Sequence, residues 1–206
     1  MMSIVRDITR SIRLTFVLWL LTAVIYPLIM IVIGQVFFPF QANGSIVQNL
    51  EGQNVGSVLI GQVFTSPQYF QSRPSAINYS SFTQQERDLE NIAQRTGVSG
   101  ASNFAPSNPD LIARIDETVS QLEENGITPT VDLVYASGSG LDPHITVEAA
   151  FNQLDRVAQT RNLSPEEIAP LIAKHTQGRF LGIFGEPGVN VLTLNRELDV
   201  LQAPLE

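Results

Sequence analysis

A long stretch without charge near the N-terminus constrains this chain more than any other feature. Residues 14–38 read LTFVLWLLTAVIYPLIMIVIGQVFF and contain no Asp, Glu, Lys or Arg. A helix of that length reaches roughly 37 Å, which exceeds the hydrocarbon core of a bilayer, about 30 Å. A helix in the core of a water-soluble protein needs a polar face, and this segment has none. We therefore predict a transmembrane helix over 14–38, kinked at Pro27.

The same segment is a poor match to a cleaved signal peptide. The apolar region of a signal peptide spans about 7–15 residues and ends at small residues. Here it is longer and ends in Phe37, Phe38 and Pro39. A lipoprotein signal requires a cysteine, and the chain has none. We therefore predict an uncleaved signal anchor.

The formal net charge of −8 falls into three blocks along the chain. Residues 1–13 carry three arginines and one aspartate, residues 14–38 carry no charge, and residues 39–206 carry the other 9 basic (12 − 3) and 19 acidic (20 − 1) side chains. Basic residues lie on the cytoplasmic side of a membrane span. We therefore expect 1–13 to be a cytoplasmic stub and 39–206, with a balance of −10 (9 − 19), to be one extracytoplasmic domain.

Composition excludes several kinds of site and partner. A chain without cysteine has no disulfide, thiolate nucleophile, zinc ribbon or iron–sulfur cluster. An acidic chain is a poor partner for nucleic acid, whose phosphates require a basic surface. Lys174, the only lysine, follows Ala173, so neither a Walker A loop nor the Asp-Lys-Thr-Gly of a phosphorylated pump is present. We expect a protein that is not itself an ATPase.

Hydrophobic periodicity in residues 39–206 alternates between helical and extended segments, which predicts an α+β domain. Asn108 is a helix cap, with Gly126 just beyond the end of its helix. Ser164 begins a capping box, and Pro170 is expected to kink or shorten the helix that follows. The predicted elements are helices from Asn108, over 147–161 and from Ser164; strands over 57–64, 129–135 and 189–194; and loops over 39–57, 65–80 and 97–107.

Two serines, an aspartate and a histidine lie within eight residues, which suggests a hydrolase. A nucleophile elbow requires Gly-x-Ser-x-Gly, but Ser137 and Leu141 flank Ser139 at the positions of the two glycines. Hydrolase triads also combine residues from distant segments. Asp142 and His144 therefore indicate a tight turn better than a catalytic triad.

In that turn, Gly138 and Gly140 are expected to supply positive φ angles, and His144 to pack or hydrogen-bond locally. A dinucleotide-binding string fails because Pro143 stands where a glycine is needed. His144 and His175 lie in unrelated segments, so a transition-metal site is not expected.

Arg73, in the hydroxyl-rich segment SRPSA (72–76), has two interpretations. A guanidinium there is able to clamp a carboxylate or an exposed backbone of a partner. It is equally suited to bracing its own loop. The sequence leaves both open.

Five segments together resemble a known family. They are ANGSIVQ (42–48), GSVLIGQVFTSPQYFQSRPSA (56–76), SGASNFAPSNPDL (99–111), ASGSGLDPHITVEAAFNQLDRVAQTR (136–161) and VNVLTLN (189–195). In this order, and with Tyr26-Pro27 in the apolar segment, they resemble the C subunit of the Kdp-type potassium-transporting ATPase of bacteria and archaea. The likeness covers nearly the whole chain. Ala101 departs from the family, which usually has glycine there.

The resemblance implies a non-catalytic subunit of a high-affinity potassium-uptake complex in the plasma or inner membrane. Its partners would be a channel-like subunit that binds potassium, a P-type pump subunit and a small single-helix subunit, together with membrane lipid. The pump subunit would bind ATP with Mg, and this chain would need no cofactor of its own. The family is associated with assembly and with a catalytic-chaperone role that raises the ATP affinity of the pump.

Candidate site residues come from the family motifs. No catalytic or metal-binding residue is expected. The competing interpretation is a membrane-anchored extracytoplasmic solute-binding domain or hydrolase. The partner-facing or motif-bracing candidates are Gln62, Arg73, Ser75, Ser139, Asp142 and His144.

Overall fold

The structure is a computed structural model that describes residues 2–81 and 97–202. The chain divides into two compact units, with the boundary between Ile46 and Val47. Each unit is described by itself below.

An apolar helix dominates the first unit. This helix consists of α1 (Met2–Trp19), a π-helical segment (Leu20–Ile25) and α2 (Tyr26–Phe37). The short helix α3 (Pro39–Ala42) follows it. From Ile4 to Phe37 the helix runs for 34 residues with a mean hydropathy of 2.7 in its most apolar window, so it is long and apolar enough to cross a membrane. The prediction of one N-terminal transmembrane helix before a mixed α and β domain is confirmed.

The π-helical segment lies directly before Pro27. Proline has no N–H to donate, and its ring collides with the carbonyl four residues earlier in a regular α-helix. The Tyr26 N–H donates to the Leu21 carbonyl, five residues back, which widens the helix at this point. The disturbance expected at Pro27 therefore takes the form of a π-helical segment.

The loop predicted over 39–57 is wrong. These residues contain α3 and a two-stranded sheet of β1 (Ile46–Gln48) and β2 (Asn54–Ser57). Asn49 closes the turn between the strands, since its Oδ1 accepts from the N–H groups of Glu51 at 3.0 Å and Gln53 at 2.8 Å. The Asn- and Gln-rich composition that indicated a loop supplies this turn.

Helices and a small antiparallel sheet enclose the core of the second unit. The remaining elements are α4 (Pro109–Glu124), α5 (Val131–Val134), β3 (His144–Ile145), α6 (Val147–Arg161), α7 (Pro165–Lys174), β4 (Thr176–Gln177), β5 (Gly188–Asn190) and α8 (Val191–Leu201). The sheet order is β3-β5-β4. Ile145 pairs with Val189, which also pairs with Thr176. The most deeply buried apolar side chains are Phe70, Ile127, Ile145, Val157, Ile168, Ile172, Val189, Val191, Leu194 and Leu198.

Several predicted helices are confirmed. Asn108 caps α4 by accepting from the Asp110 N–H at 2.8 Å, and Gly126 with φ +70° follows its end. Helix α6 has the predicted bounds, and α7 carries the predicted capping box. Helix α7 continues through Pro170 to Lys174 rather than ending there. The buried Ile168 and Ile172 lie on either side of Pro170 in sequence and hold the helix against the core.

The strand predicted over 129–135 is wrong, because the segment contains the short helix α5. Leu133 and Val134 are both buried. Neighbouring residues of a strand point to opposite faces, so a helical turn places both in the core more readily. The buried Asp132 accepts from the Thr146 N–H at 2.7 Å, which ties α5 to the start of α6.

The strand predicted over 189–194 is only a short strand followed by a helix. Strand β5 ends at Asn190, whose side chain accepts from the Thr193 N–H at 3.1 Å and caps α8. Val191, Leu194 and Leu198 then follow at helical spacing and are all buried.

The strand predicted over 57–64 is also wrong, since only Ser57 belongs to a strand. Leu59 and Val63 are exposed, and of this run Phe64 packs against the core. The Gly61 N–H donates to the Leu141 carbonyl at 2.9 Å, a loop contact rather than a strand ladder. The predicted loop over 97–107 is confirmed, and 65–80 is a loop with a 3₁₀ turn at Asn78–Ser80.

Candidate functional site

The predicted site residues lie in three loops of the second unit that meet one another. The loops are residues 56–64, 72–80 and 137–144. The first lies in the segment 56–76 quoted above, the second begins in that segment, and the third lies in 136–161. We refer to them together as the three-loop cluster. Side chains and backbone groups from all three join by hydrogen bonds, so all six candidates take part in one connected structure.

Arg73 and Asp142 form the central ion pair of the three-loop cluster. The Arg73 Nη1 donates to Asp142 Oδ2 at 2.9 Å, and both side chains are about three-quarters to two-thirds buried. The other oxygen, Oδ1, accepts from the His144 N–H at 3.0 Å and lies 3.4 Å from His144 Nδ1. Within this chain, the Arg73 guanidinium braces its loop against the loop of Asp142, and contact of Arg73 with a partner stays a prediction.

The pKa of Asp142 is lower than its ordinary value. Burial alone would raise it, but hydrogen bonds from the side chain and backbone of His144 and the charge of Arg73 outweigh that effect. Asp142 is therefore ionised at neutral pH and joins two loops far apart in sequence.

Ser75 joins the second and third loops. Its hydroxyl donates to the Gly140 carbonyl at 2.8 Å and accepts from the Tyr79 N–H at 3.1 Å. A Cβ added to Gly140 would lie 2.5 Å from the Gly100 carbonyl oxygen, so this close approach requires glycine. Gly140 has φ +69°, as predicted. Gly138 lies outside the positive-φ region, and that part of the expectation is wrong.

Ser139 lies within the third loop. Its hydroxyl is 3.2 Å from the Ser137 hydroxyl and accepts from the Leu141 N–H at 3.1 Å. Its carbonyl accepts from the Gly100 N–H at 2.8 Å. These are the bonds of a tight turn, and His144 directs its Nδ1 toward Asp142. The arrangement does not pair a serine nucleophile with a histidine base.

Gln62 lies in the first loop, where its carbonyl accepts from the Ser72 hydroxyl at 2.8 Å. The side chain lines a cavity of about 440 Å³ together with Arg73, Ser75 and Tyr79. Hydroxyl and amide groups share the cavity walls about equally with apolar side chains, and Arg73 is the charged residue that reaches it. Such a cavity offers hydrogen bonds but no acid–base pair.

Tyr79 is the main residue of the cluster that the sequence did not indicate. It is 4% exposed, its hydroxyl donates to the Arg73 carbonyl, and burial raises its pKa to about 12. Its ring packs against Gly61 so closely that a Cβ there would collide with it. The one signal in the sequence was an aromatic residue in a polar loop.

Two buried amides hold the segment before Arg73, and neither was predicted. Asn195 of α8 accepts from the Phe70 N–H at 2.8 Å and donates to its carbonyl at 2.9 Å. Gln153 of α6 accepts from the Gln71 N–H at 2.7 Å and donates to its carbonyl at 3.2 Å. Each amide imitates a strand partner. The signal available in the sequence was a Gln at position 153 among the apolar residues of one helix face.

No metal centre is found among the residues of the second unit that the structure describes, up to residue 81 and from 97 to 202. No group of three or more His, Asp or Glu side chains in those ranges is placed to hold an ion. His175 lies 3.6 Å from Glu197, away from the three-loop cluster. Burial lowers the pKa of His175, with the Glu197 carboxylate acting in the opposite direction.

Comparisons with known proteins agree on one family. A family model described as KdpC, the K⁺-transporting ATPase c chain, matches residues 8–200. The protein named Potassium-transporting ATPase KdpC subunit of Synechocystis sp. is 59% identical over 195 residues, 95% of this chain and 98% of that protein. Its namesake in Anabaena sp. is 58% identical over 199 residues, 97% and 96% of the two chains. The one from Caldanaerobacter subterraneus is 41% identical over 197 residues, 93% and 94%.

Proposed function

Because this chain belongs to the KdpC family of K⁺-transporting ATPase c chains, we propose that it is a non-catalytic accessory subunit that supports assembly of a potassium-uptake complex. Its proposed partners are a channel-like potassium-binding subunit, a P-type pump subunit and a small single-helix subunit. ATP with Mg belongs to the pump subunit in this proposal. The membrane is the plasma or inner membrane of the cell.

The three-loop cluster is the observation that carries the non-catalytic part of the proposal. Its charged and hydroxyl groups bond to one another and to backbone, with Arg73 on Asp142 and Ser75 on Gly140. A catalytic site keeps an acid, base or nucleophile directed at a substrate. Here the same groups fix the relative positions of loops, which suits a surface that must keep one shape for a partner.

We place the second unit on the extracytoplasmic side, with residues 1–13 in the cytoplasm. Arginines precede the apolar helix, and residues 39–206 carry the balance of −10 (9 − 19). ATP is cytoplasmic, so an effect of this chain on the ATP affinity of the pump would be transmitted through the partner subunits. A topology reporter fused after Glu206 tests this. An extracytoplasmic reporter supports the placement, and a cytoplasmic one reverses it.

The assembly role is tested in a complete complex made with and without this chain. We expect potassium-stimulated ATP hydrolysis and co-purification of the other subunits to fall at least about tenfold without it, because an accessory interface is lost. Re-expression of the chain is the control and restores both. Full hydrolysis by a stable complex that lacks the chain would contradict the proposal.

A further inference from the structure

The connection between β4 and β5 carries a cluster of exposed apolar side chains at its end. We call residues 180–184, with sequence FLGIF, the apolar tip. Its four large side chains are between 61% and 75% exposed, namely those of Phe180, Leu181, Ile183 and Phe184. Water-soluble surfaces rarely leave so many neighbouring apolar side chains exposed unless something covers them.

The apolar tip is an ordered turn. The Phe180 N–H donates to the Phe184 carbonyl at 2.8 Å, and the Phe184 N–H donates back to the Phe180 carbonyl at 3.0 Å. Leu181 with φ +53° and Gly182 with φ +74° reverse the chain between them. A preformed turn loses little conformational freedom on binding, which favours its use as a docking element.

The apolar tip is continuous with the three-loop cluster. Phe180 and Phe184 line a cavity of about 370 Å³, and Arg73, Asp142 and His144 line the same cavity. Exposed apolar side chains and a cavity with charged lining residues therefore share one surface. Protein interfaces have this composition, with an apolar centre and a polar rim that offers hydrogen bonds.

Charge favours a protein over a lipid surface as the occupant. Asp132, Asp142 and Glu186 line the cavity together with Arg73, and Arg179, directly before the tip, pairs with Glu186 at 3.4 Å, so carboxylates still outnumber basic groups. Residues 39–206 as a whole carry −10 (9 − 19). Anionic headgroups would repel such a rim, whereas basic or N–H groups of a protein would complement it.

We propose that the apolar tip docks in an apolar groove, bordered by hydrogen-bond donors, on another subunit of the same potassium-transporting complex. This rests on the proposed function, and it names the part of this chain that makes the contact. The tip supplies the apolar centre, and Glu186 lies at the acidic rim. The three-loop cluster holds the neighbouring surface in shape.

Photocrosslinking in the complete complex tests the contact directly. A benzoylphenylalanine replaces Ile183, and a matched control places it at Val131, which is 76% exposed in the same unit. We expect adducts from position 183 with the channel-like or pump subunit, identified by mass spectrometry, at least about tenfold above position 131. Adducts only with lipid, adducts only with a second copy of this chain, or equal yields at both positions would overturn the proposal.

Substitution separates the proposal from the proposed function. The double variant Phe180→Ser/Phe184→Ser is compared with Val131→Ser, and thermal unfolding checks that both remain folded. We expect the double variant to be retained in the complex at least about tenfold less than the wild-type chain, and the control within about twofold. A folded double variant retained like wild type refutes docking by the tip alone. Absence of the wild-type chain from the complex refutes the proposed function itself.

Discussion

At the scale of single residues, the Arg73–Asp142 pair sets the geometry of the three-loop cluster. The two residues are 69 positions apart and bond at 2.9 Å. Asp142 also accepts from the backbone of His144, so the carboxylate has partners on both oxygens. Removing the Asp142 carboxylate leaves the largely buried Arg73 guanidinium without its acceptor, which costs more free energy than the lost hydrogen bond alone.

We therefore expect Asp142→Asn to lower the free energy of unfolding by about 1–3 kcal/mol. Asp155→Asn is the control, because Asp155 is exposed on α6. Denaturation of the full chain in detergent, followed by circular dichroism, measures both. Equal stability of the two variants would show that the ion pair contributes little.

The same pair predicts a sensitivity to acid. The folded state lowers the pKa of Asp142, so the ionised carboxylate stabilises the fold above the ordinary Asp pKa of about 4. That stabilisation is lost as the pH falls through the lowered pKa. Between about pH 5 and pH 2 the stability of Asp142→Asn should fall less steeply than that of wild type. Parallel curves would exclude Asp142 as a source of the acid sensitivity.

Gly61 offers a test of close packing in the first loop. A Cβ at this position would collide with the Tyr79 ring and lie 2.8 Å from the Asp142 carbonyl oxygen. We expect Gly61→Ala to destabilise the second unit by about 1–3 kcal/mol. Gly178→Ala is the matched control, since nothing lies within 4 Å of its Cβ position. Thermal unfolding of both variants decides, and equal midpoints would contradict the packing argument.

At the scale of elements, Asn190 connects three parts of the second unit. It ends β5, caps α8 through Thr193, and donates from Nδ2 to the Val58 carbonyl at 2.8 Å. We expect Asn190→Ala to cost about 1–3 kcal/mol, because a helix cap and a buried bond are lost together. Asn125→Ala, at the exposed end of α4, is the comparison. Chemical denaturation measures the difference, which should vanish if Asn190 only fills space.

Helices with caps were predictable from the sequence. Asn108 and Ser164 carry local signals whose meaning does not depend on the rest of the fold, and both helices begin where these residues indicate. The strands were not predictable in the same way. Strands β3 and β4 each have two residues, too few to display an alternating pattern.

The strand predicted over 189–194 shows why short apolar runs mislead. Its residues suit either a strand or a buried helix. Asn190, near its start, caps a helix, and the residues after it are helical. In the candidate site, the motifs contain the six candidate residues, but the first of the three loops was predicted as a strand. The Arg73–Asp142 bond and the buried Tyr79 depend on which loops meet in space, and local sequence does not carry that information.

At the scale of the whole molecule, the net charge is unevenly divided between the segments of the chain. Residues 39–206 carry a balance of −10 (9 − 19), whereas residues 14–38 carry none. In the proposed complex, an acidic domain near the potassium pathway would raise the local concentration of cations, within a screening length of about 10 Å at 0.1 M salt. The effect is electrostatic and therefore depends on salt.

We expect the combined variant Asp116→Asn/Glu123→Gln/Glu124→Gln to raise the apparent KM of the complex for potassium at low ionic strength. All three side chains are exposed on α4. The difference from wild type should shrink as inert salt is added, because screening removes the attraction. Uptake assays at two salt concentrations measure it. An unchanged KM at low salt would exclude attraction of potassium by these carboxylates.

The π-helical segment before Pro27 has a consequence for the lifetime of the chain. Pro27 has no N–H, so a backbone carbonyl in the preceding turn lacks its helical donor. Hydrocarbon contains no water to replace that donor, and a hydrogen-bond donor from a neighbouring helix is needed instead. We expect a copy without partners to keep this carbonyl unbonded, which is costly in hydrocarbon and favours removal of that copy. We expect Pro27→Ala to lengthen the half-life of unpartnered copies in a pulse–chase experiment, with Thr9→Ala as control. Equal half-lives of the two variants would contradict a role of Pro27 in matching the number of copies to the number of complexes.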